Sequence, residues 1–155
     1  MDKKESAAIQ KAKNYAFLLL KFRSRSEKEI SQRLKKKKFE AQAINATVAF
    51  LKEKNFLDDR AFARAWIDSR LKKPLGLRRI RQELKIKGID NRIIDCQIGE
   101  VKEKYCEEAI VRGLAIKRMK ISKGIDRQKA KGRVFSYLLR RGFSLDIVIE
   151  AVNQL

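Results

Sequence analysis

The chain has 155 residues, of which 39 are Lys or Arg and 19 are Asp or Glu, so its formal net charge is +20. It is 44% hydrophobic, which is enough to bury a core, and its one Pro and seven Gly leave few helix breakers, so the composition favours helices over strands. Because it has no His and only two cysteines, Cys96 and Cys106, we exclude His-based catalysis, a zinc site and a disulfide scaffold.

The first predicted repeat unit spans residues 1–57 and opens with a helix from Ala7 to Phe22. The segment Ser26-Glu27-Lys28-Glu29 has the pattern of a capping box and predicts the start of a middle helix. Lys38 stands where a glycine would be expected to end that helix. A Lys in the left-handed backbone conformation costs on the order of 1 kcal/mol, so this turn departs from the pattern of the other two units.

The second predicted unit spans residues 58–103. Asp58-Asp59 is predicted to cap its first helix, which suits these carboxylates better than metal binding or acid–base catalysis. Pro74-Leu75-Gly76 forms a corner before the middle helix. Gly88 can adopt the left-handed conformation that ends that helix, and Asp90 is then placed to cap the third.

The third predicted unit spans residues 104–155. Its first helix is predicted from Tyr105 to Met119, followed by a longer connection through Gly124. Gly142 is predicted to end the middle helix in the left-handed conformation, as Gly88 does in the second unit. Ser144 is a predicted cap for the last helix. Each unit therefore consists of three helices.

The three units share a pattern of large apolar residues, which we call the ladder. Counted from Ile30, Ile80 or Val134, apolar residues recur at offsets of 4, 9, 14, 18 and 21. The eighteen ladder positions are Ile30, Leu34, Phe39, Ile44, Val48, Leu51, Ile80, Leu84, Ile89, Ile94, Ile98, Val101, Val134, Leu138, Phe143, Val148, Val152 and Leu155. Steps of three and four residues keep these side chains on one helix face.

The ladder predicts an all-α fold of three tandem three-helix repeats. About 45 residues bury too little surface to be stable alone, so we expect neighbouring units to complete each other's cores. Stacked in this way, the repeats would form an elongated array, with its curvature left open by the sequence.

Positive charge is distributed over the whole chain, with a net +9 in residues 1–57, +4 in 58–103 and +7 in 104–155. Such a field attracts polyanions and predicts contact with nucleic acid, although a well-solvated Lys-rich surface would have the same composition. No stretch reaches the ~20 apolar residues of a membrane span, and the N-terminal residues lack the apolar run of a signal peptide. We therefore expect a cytoplasmic protein with no membrane contact.

The middle helices carry much of this charge opposite the ladder. A rotation of 100° per residue places Arg78, Arg81, Gln82 and Lys85 opposite Ile80. The ridge continues more weakly in the first unit, and the equivalent residues of the third unit are partly apolar. The ridge of the first unit consists of Lys28, Ser31, Gln32 and Lys35, followed by Lys36, Lys37 and Lys38, and the third-unit residues are Gly132, Phe135, Ser136 and Leu139. These third-unit residues either pack against the preceding helix or form a protein-binding patch.

Two further features bear on function. Trp66, the only Trp, could offer a stacking platform, although its helical spacing from Phe62 favours a core position. The chain has neither the GxxxxGK[ST] pattern nor the GxGxxG pattern of nucleotide-binding loops. We therefore expect no enzymatic activity and no cofactor.

The sequence resembles the RecX family of regulators of the RecA recombinase from about Ala12 to its C-terminus. The resemblance rests on Arg23-Ser24-Arg25-Ser26, on Phe56-Leu57-Asp58-Asp59-Arg60-Ala61-Phe62-Ala63, on Arg78-Arg79-Ile80-Arg81-Gln82-Glu83-Leu84-Lys85-Ile86-Lys87-Gly88-Ile89 and on Leu139-Arg140-Arg141-Gly142-Phe143-Ser144. The central motif is the most specific of these. Lys38 departs from the family's usual glycine.

The resemblance implies three tandem three-helix repeats, binding along the groove of the RecA–DNA filament, and inhibition of ATP hydrolysis, strand exchange and co-protease activity. It also implies that the protein favours filament disassembly. The expected partners are the RecA filament and DNA, either single-stranded or duplex. Binding to DNA is expected to be weak and without sequence preference, and the protein is expected to be a monomer. The predicted contact residues are Arg70, Lys72, Arg78, Arg79, Arg81, Lys85, Lys28, Lys35, Lys36, Arg140 and Arg141.

Two other functions fit the same sequence. One is a helical DNA-binding protein that acts without RecA and places one helix in the major groove, which would prefer particular duplex sequences. The other is a basic helical adaptor for an acidic protein, which would bind no DNA even at low salt.

Overall fold

The structure is a computed structural model that describes residues 3–155, so Met1 and Asp2, which open the first predicted repeat unit, lie outside the described residues. Within that range the chain forms nine helices and no strand, as the ladder predicts. In chain order, α1 to α9 are Lys3–Phe22, Glu27–Lys36, Ala41–Glu53, Asp59–Leu71, Leu77–Ile86, Asn91–Lys102, Glu107–Ile121, Arg127–Arg140 and Leu145–Asn153. Among these helices, none combines the length and the apolar character that a membrane span requires.

The ladder forms the interior of the protein. Thirteen of its eighteen side chains are buried and the other five are half-buried. Ile30, Ile80, Val134 and their i+4 partners are fully buried, at 0% exposure. Because burying a side chain of this size contributes about 1.5–3 kcal/mol, the ladder accounts for much of the stability of the fold.

The described residues form two compact units, which we call the first unit and the second unit, whereas the three-helix units predicted from the sequence are called repeats. The first unit runs to Ala65 and also includes Leu84–Ile93, and the second unit comprises Trp66–Glu83 and Ile94–Leu155. The middle repeat therefore contributes residues to both units, as expected when three short helices bury too little surface alone. The repeat boundaries at residues 57 and 103 stay predictions.

The first unit is built around α1, α2 and α3, which pack against one another. Ala12 and Ala16 of α1 are fully buried beside Ile30, Leu34 and Leu51. The small side chains on α1 allow it to approach the larger residues of the other two helices closely.

The second unit contains the core of α7, α8 and α9. Val111, Val134 and Val148, one from each helix, are all fully buried. Phe135 and Leu139 are half-buried and pack against this core. The apolar residues on the outer face of α8 are therefore explained by packing within the third repeat.

The three middle helices end in the same way. Lys38, Gly88 and Gly142 have φ angles of 64°, 79° and 88°, which is the left-handed conformation. In each turn the following residue donates its N–H to the carbonyl five residues earlier, over 3.2, 3.1 and 3.4 Å respectively. Lys38 thus adopts the conformation that the repeat requires despite its side chain.

Most of the predicted helix caps are present. Ser26 and Glu29 form the capping box at the start of α2. Asp58 accepts hydrogen bonds from two N–H groups of α4, at 2.9 and 3.1 Å, and Asp90 accepts one from Arg92 at 2.8 Å. Ser144 occupies the N-cap position of α9, but its side chain makes no capping hydrogen bond, so that part of the prediction is wrong.

Candidate nucleic-acid interface

The middle helix of the second repeat, α5, presents arginines on the side opposite its buried residues. Ile80 and Leu84 are fully buried, whereas Arg78 and Lys85 are exposed and Arg81 is half-buried. This separation follows from the helical rotation of 100° per residue. A helix placed in this way holds cationic side chains at a fixed spacing on a rigid backbone.

Four of the predicted contact residues line one groove in the second unit, which we call the α5 groove. It has a volume of about 600 Å³ and is lined by Arg78, Arg79, Arg81 and Arg140, with Glu83 as its one carboxylate among the described residues. Arg78 makes no ion pair with any carboxylate in the described range. A groove with this balance of charge can bind a phosphate, for which guanidinium groups are well shaped.

Two glycines bring Arg140 beside α5. The N–H of Gly76 donates to the carbonyl of Arg141 over 2.9 Å. A Cβ added at Gly76 would lie 2.1 Å from the backbone carbon of Gly142, and a Cβ on Gly142 would lie 2.2 Å from the Cβ of Arg79. A side chain at either position would block this contact. Because both residues are glycines, the backbone of the α8–α9 turn can approach the start of α5.

Glu83 organises the arginines at one end of the α5 groove. Its Oε2 atom accepts hydrogen bonds from Trp66 Nε1 at 3.0 Å and from Arg70 Nε at 2.6 Å, and its Oε1 atom accepts one from Arg79 Nε at 3.2 Å. The Arg70 guanidinium also lies 4.5 Å from the centre of the Trp66 ring. Arg70 and Arg79 are therefore held in place by a carboxylate, and one face of Trp66 is covered by a cation.

Two other predicted contact residues have specific partners in the second unit. Arg81 forms an ion pair with Asp95, a largely exposed carboxylate. Arg141 donates to the carbonyl of Pro74 over 3.0 Å and lies 5.1 Å from the centre of the Tyr137 ring. An exposed ion pair contributes little to stability and can exchange its carboxylate for a phosphate, whereas the Arg141 contacts tie the α8–α9 turn to the corner before α5.

The other predicted contact residues are not part of the α5 groove. Lys28, Lys35 and Lys36 are exposed on α2 in the first unit, where the aliphatic part of Lys28 lies against Gly88. Lys72 is exposed in the turn after α4, and Lys85 is exposed near the end of α5. The structure therefore brings together four of the eleven predicted residues in one groove.

A comparison of equivalent positions explains why the α5 groove is so strongly cationic. In the first unit, Glu29 pairs with Lys87 at 2.7 Å and with Arg23 at 2.9 Å. Burial opposes ionisation of Glu29, but hydrogen bonds from Arg23, Lys87 and the Ser26 N–H lower its pKa to about 2. Glu29 lies one position before Ile30, and Lys87 lies seven positions after Ile80. The equivalent residues one repeat later are Arg79 and Arg141, so two cations in the second unit replace the acid–base pair of the first unit.

Two features of this surface were not predicted from the sequence. One is that Trp66 and Arg70 donate hydrogen bonds to the carboxylate of Glu83. The other is the close approach of Gly76 to Gly142. The available signal was weak, because a lone Glu among arginines and a glycine after a proline have common local explanations.

Three family models match the chain in tandem. Their descriptions are "RecX, first three-helix domain" over residues 12–51, "RecX, second three-helix domain" over residues 58–96 and "RecX, third three-helix domain" over residues 107–152. The matches follow the three repeats that the ladder predicts.

Full-length relatives and a solved structure agree with these matches. The chain is 36% identical over 147 residues to "Regulatory protein RecX" of Chlorobium phaeobacteroides (strain BS1), covering 94% of both chains. It is 33% identical over 153 residues to the protein of the same name from Vibrio campbellii (strain ATCC BAA-1116), covering 99% of this chain and 97% of the relative. The crystal structure of RecX from Lactobacillus salivarius superimposes with a TM-score of 0.82 at 22% identity and 97% coverage of both chains, which shows a shared fold.

Proposed function

The chain belongs to the RecX family of regulatory proteins, and from that premise we propose that it binds the RecA–DNA filament and inhibits the recombinase. Inhibition would extend to ATP hydrolysis, strand exchange and co-protease activity. In this proposal the protein lies along the filament groove as a monomer in the cytoplasm and favours disassembly of the filament.

The observation that carries the proposal is the α5 groove, in which four arginines face a single carboxylate among the described residues. A filament assembled on DNA presents phosphates along its length, and arginine binds a phosphate through two parallel hydrogen bonds. Arg78 and Arg81 are the residues proposed to contact the DNA backbone. Phosphate contacts of this kind carry no sequence information, so binding to bare DNA is expected to be weak, sensitive to salt and indifferent to sequence.

The ion pairs suggest a division of roles among the proposed contact residues. Arg70 and Arg79 are held by Glu83, so we assign them to fixing the shape of the groove and to presenting their remaining N–H groups. The side chains of Arg78 and Arg81 are less constrained and make the first contact with a phosphate. The lysines of α2 and Lys72 add charge that raises the rate of encounter with the filament.

A co-sedimentation experiment tests the proposal. RecA filaments are assembled on single-stranded DNA with a slowly hydrolysed ATP analogue, and the protein recovered with them is compared with the protein recovered on the same DNA alone. We expect binding to the filament to be at least tenfold tighter than binding to bare DNA.

The two other functions give different results in the same experiment. A RecA-independent DNA-binding protein would bind the bare DNA as tightly as the filament and would prefer particular duplex sequences. An adaptor for an acidic protein would sediment with neither DNA nor filament at low salt. Either result would contradict the proposed function.

A further inference from the structure

The third repeat contains a second cationic groove, which we call the α7–α8 groove. It has a volume of about 700 Å³. Four cations line it: Arg118 from the end of α7, and Lys129, Arg133 and Arg140 from α8. No carboxylate lines this groove among the described residues, and none forms an ion pair with these four cations.

The groove residues of α8 recur at regular intervals along one helix face. Lys129, Arg133, Ser136 and Arg140 follow one another in steps of four, three and four residues. At a rise of about 1.5 Å per residue, successive members are about 4.5–6 Å apart along the helix axis. The α8 face therefore offers hydrogen-bond donors at intervals comparable with the spacing of phosphates along an extended nucleic-acid strand.

Arg118 is positioned by an aromatic contact on the opposite wall. Its guanidinium lies 4.5 Å from the centre of the Tyr137 ring, and the Arg141 guanidinium also lies over that ring, at 5.1 Å. Stacking restrains the guanidinium plane and leaves its N–H groups available to an anion. A side chain restrained in advance loses less conformational entropy when a ligand binds.

The remaining lining residues favour a nucleic-acid strand over an acidic peptide. Ile121 and Ile125 form an apolar wall beside the cations, and Ser122 and Ser136 add hydroxyl groups. A single strand presents one charge per nucleotide together with apolar sugar and base surfaces, so it can use both kinds of wall. A duplex keeps its bases paired inside and would touch only the rim of the groove with its backbone.

We infer that the α7–α8 groove is a binding site for the sugar–phosphate backbone of single-stranded DNA, in which Lys129 and Arg133 contact successive phosphates. Arg140 lines both this groove and the α5 groove, so a strand can pass from one to the other along a continuous row of cations. The inference goes beyond the proposed function because it assigns a second DNA-binding groove, on α7 and α8, in addition to the contacts proposed on α5.

The test uses the full chain and a fluorescein-labelled oligothymidylate of 30 nucleotides, with binding followed by anisotropy over a range of salt concentrations. The variant is Lys129→Gln/Arg133→Gln, in which both substituted residues are exposed and the fold should be retained. Losing two phosphate contacts on a single strand should make the negative slope of log K against log salt shallower by about 1.4. We expect an accompanying loss of affinity of about tenfold at low salt.

The matched control is Lys4→Gln/Lys11→Gln, which removes the same charge from exposed positions of α1. A groove variant with the affinity and slope of this control would overturn the site. An equal loss on a duplex of the same length would overturn its assignment to a single strand. Unchanged DNA binding with lost binding of a poly-glutamate peptide would assign the groove to an acidic protein instead. None of these readouts uses RecA, so the result is independent of the proposed function.

Discussion

At the scale of single residues, the arginines of the second unit differ in how firmly they are held. Arg70 and Arg79 share the carboxylate of Glu83, and the Arg70 side chain is only 27% exposed. Arg78 has no carboxylate partner in the described range, and Arg81 pairs with a carboxylate that is 65% exposed. A helical-wheel projection gives only the direction in which each side chain leaves the helix. The sequence could therefore place these arginines on the surface, but it could not distinguish those held by a carboxylate from those available to bind a phosphate.

The proposed contact with DNA is tested by Arg78→Glu/Arg81→Glu. Reversing both charges places two carboxylates opposite the phosphates, so we expect filament binding to weaken by about tenfold or more. Lys4→Glu/Lys11→Glu is the control, since it changes the net charge equally on exposed residues of α1. Co-sedimentation with RecA filaments measures the effect, and circular dichroism verifies the fold. Equal binding by the two double variants would show that the two arginines are not contact residues.

Glu29 should make the first unit sensitive to acid. Its pKa is about 2 in the folded chain against an ordinary value of 4.5, so its stabilising contribution is complete above pH 4.5 and is lost as the pH falls towards 2. Glu29→Gln removes the charge that Arg23 and Lys87 share, at a cost of about 2 kcal/mol at pH 7. Urea unfolding between pH 3 and pH 7 should show this difference shrinking below pH 4.5. A constant difference across that range would mean that ionisation of Glu29 is not its source.

At the scale of helices, local signals predicted most of the structure. The ladder, the capping box at Ser26 and the turns at Lys38, Gly88 and Gly142 depend on residues within a few positions of one another, and all are present. Contacts between distant segments could not be predicted, since the approach of Gly76 to Gly142 joins residues that no periodic pattern relates. The arrangement of the α5 groove depends on that approach, so its residues could be predicted from the sequence but its geometry could not.

The glycine contacts lead to a prediction about the ends of the middle helices. Gly76→Ala should destabilise the protein by about 2–3 kcal/mol, because the new Cβ would lie 2.1 Å from a backbone carbon. Lys38→Gly should change stability by no more than about 0.5 kcal/mol. The substitution removes the cost of a left-handed backbone conformation at Lys, but glycine also increases the conformational entropy of the unfolded chain. Both are measured by urea unfolding. If the alanine variant were as stable as the parent, the close packing at the start of α5 would be wrong.

At the scale of the whole molecule, charge and fold are linked through the repeats. The net charge of +20 is spread over all three predicted repeat units, and the ladder side chains are buried or half-buried, away from the exposed cations of the middle helices. Repetition of one three-helix plan therefore provides several cationic helix faces on one chain. Such a chain can engage a long polyanionic assembly through many weak phosphate contacts, with affinity that falls steeply as salt is raised.

Steady-state ATP hydrolysis by RecA on single-stranded DNA tests this account most directly, as the protein is titrated into preformed filaments. If the protein occupies the filament and promotes its disassembly, hydrolysis should fall to half at well below one protein per RecA subunit, and added salt should weaken the inhibition. An unchanged rate of hydrolysis at saturating protein would contradict the account.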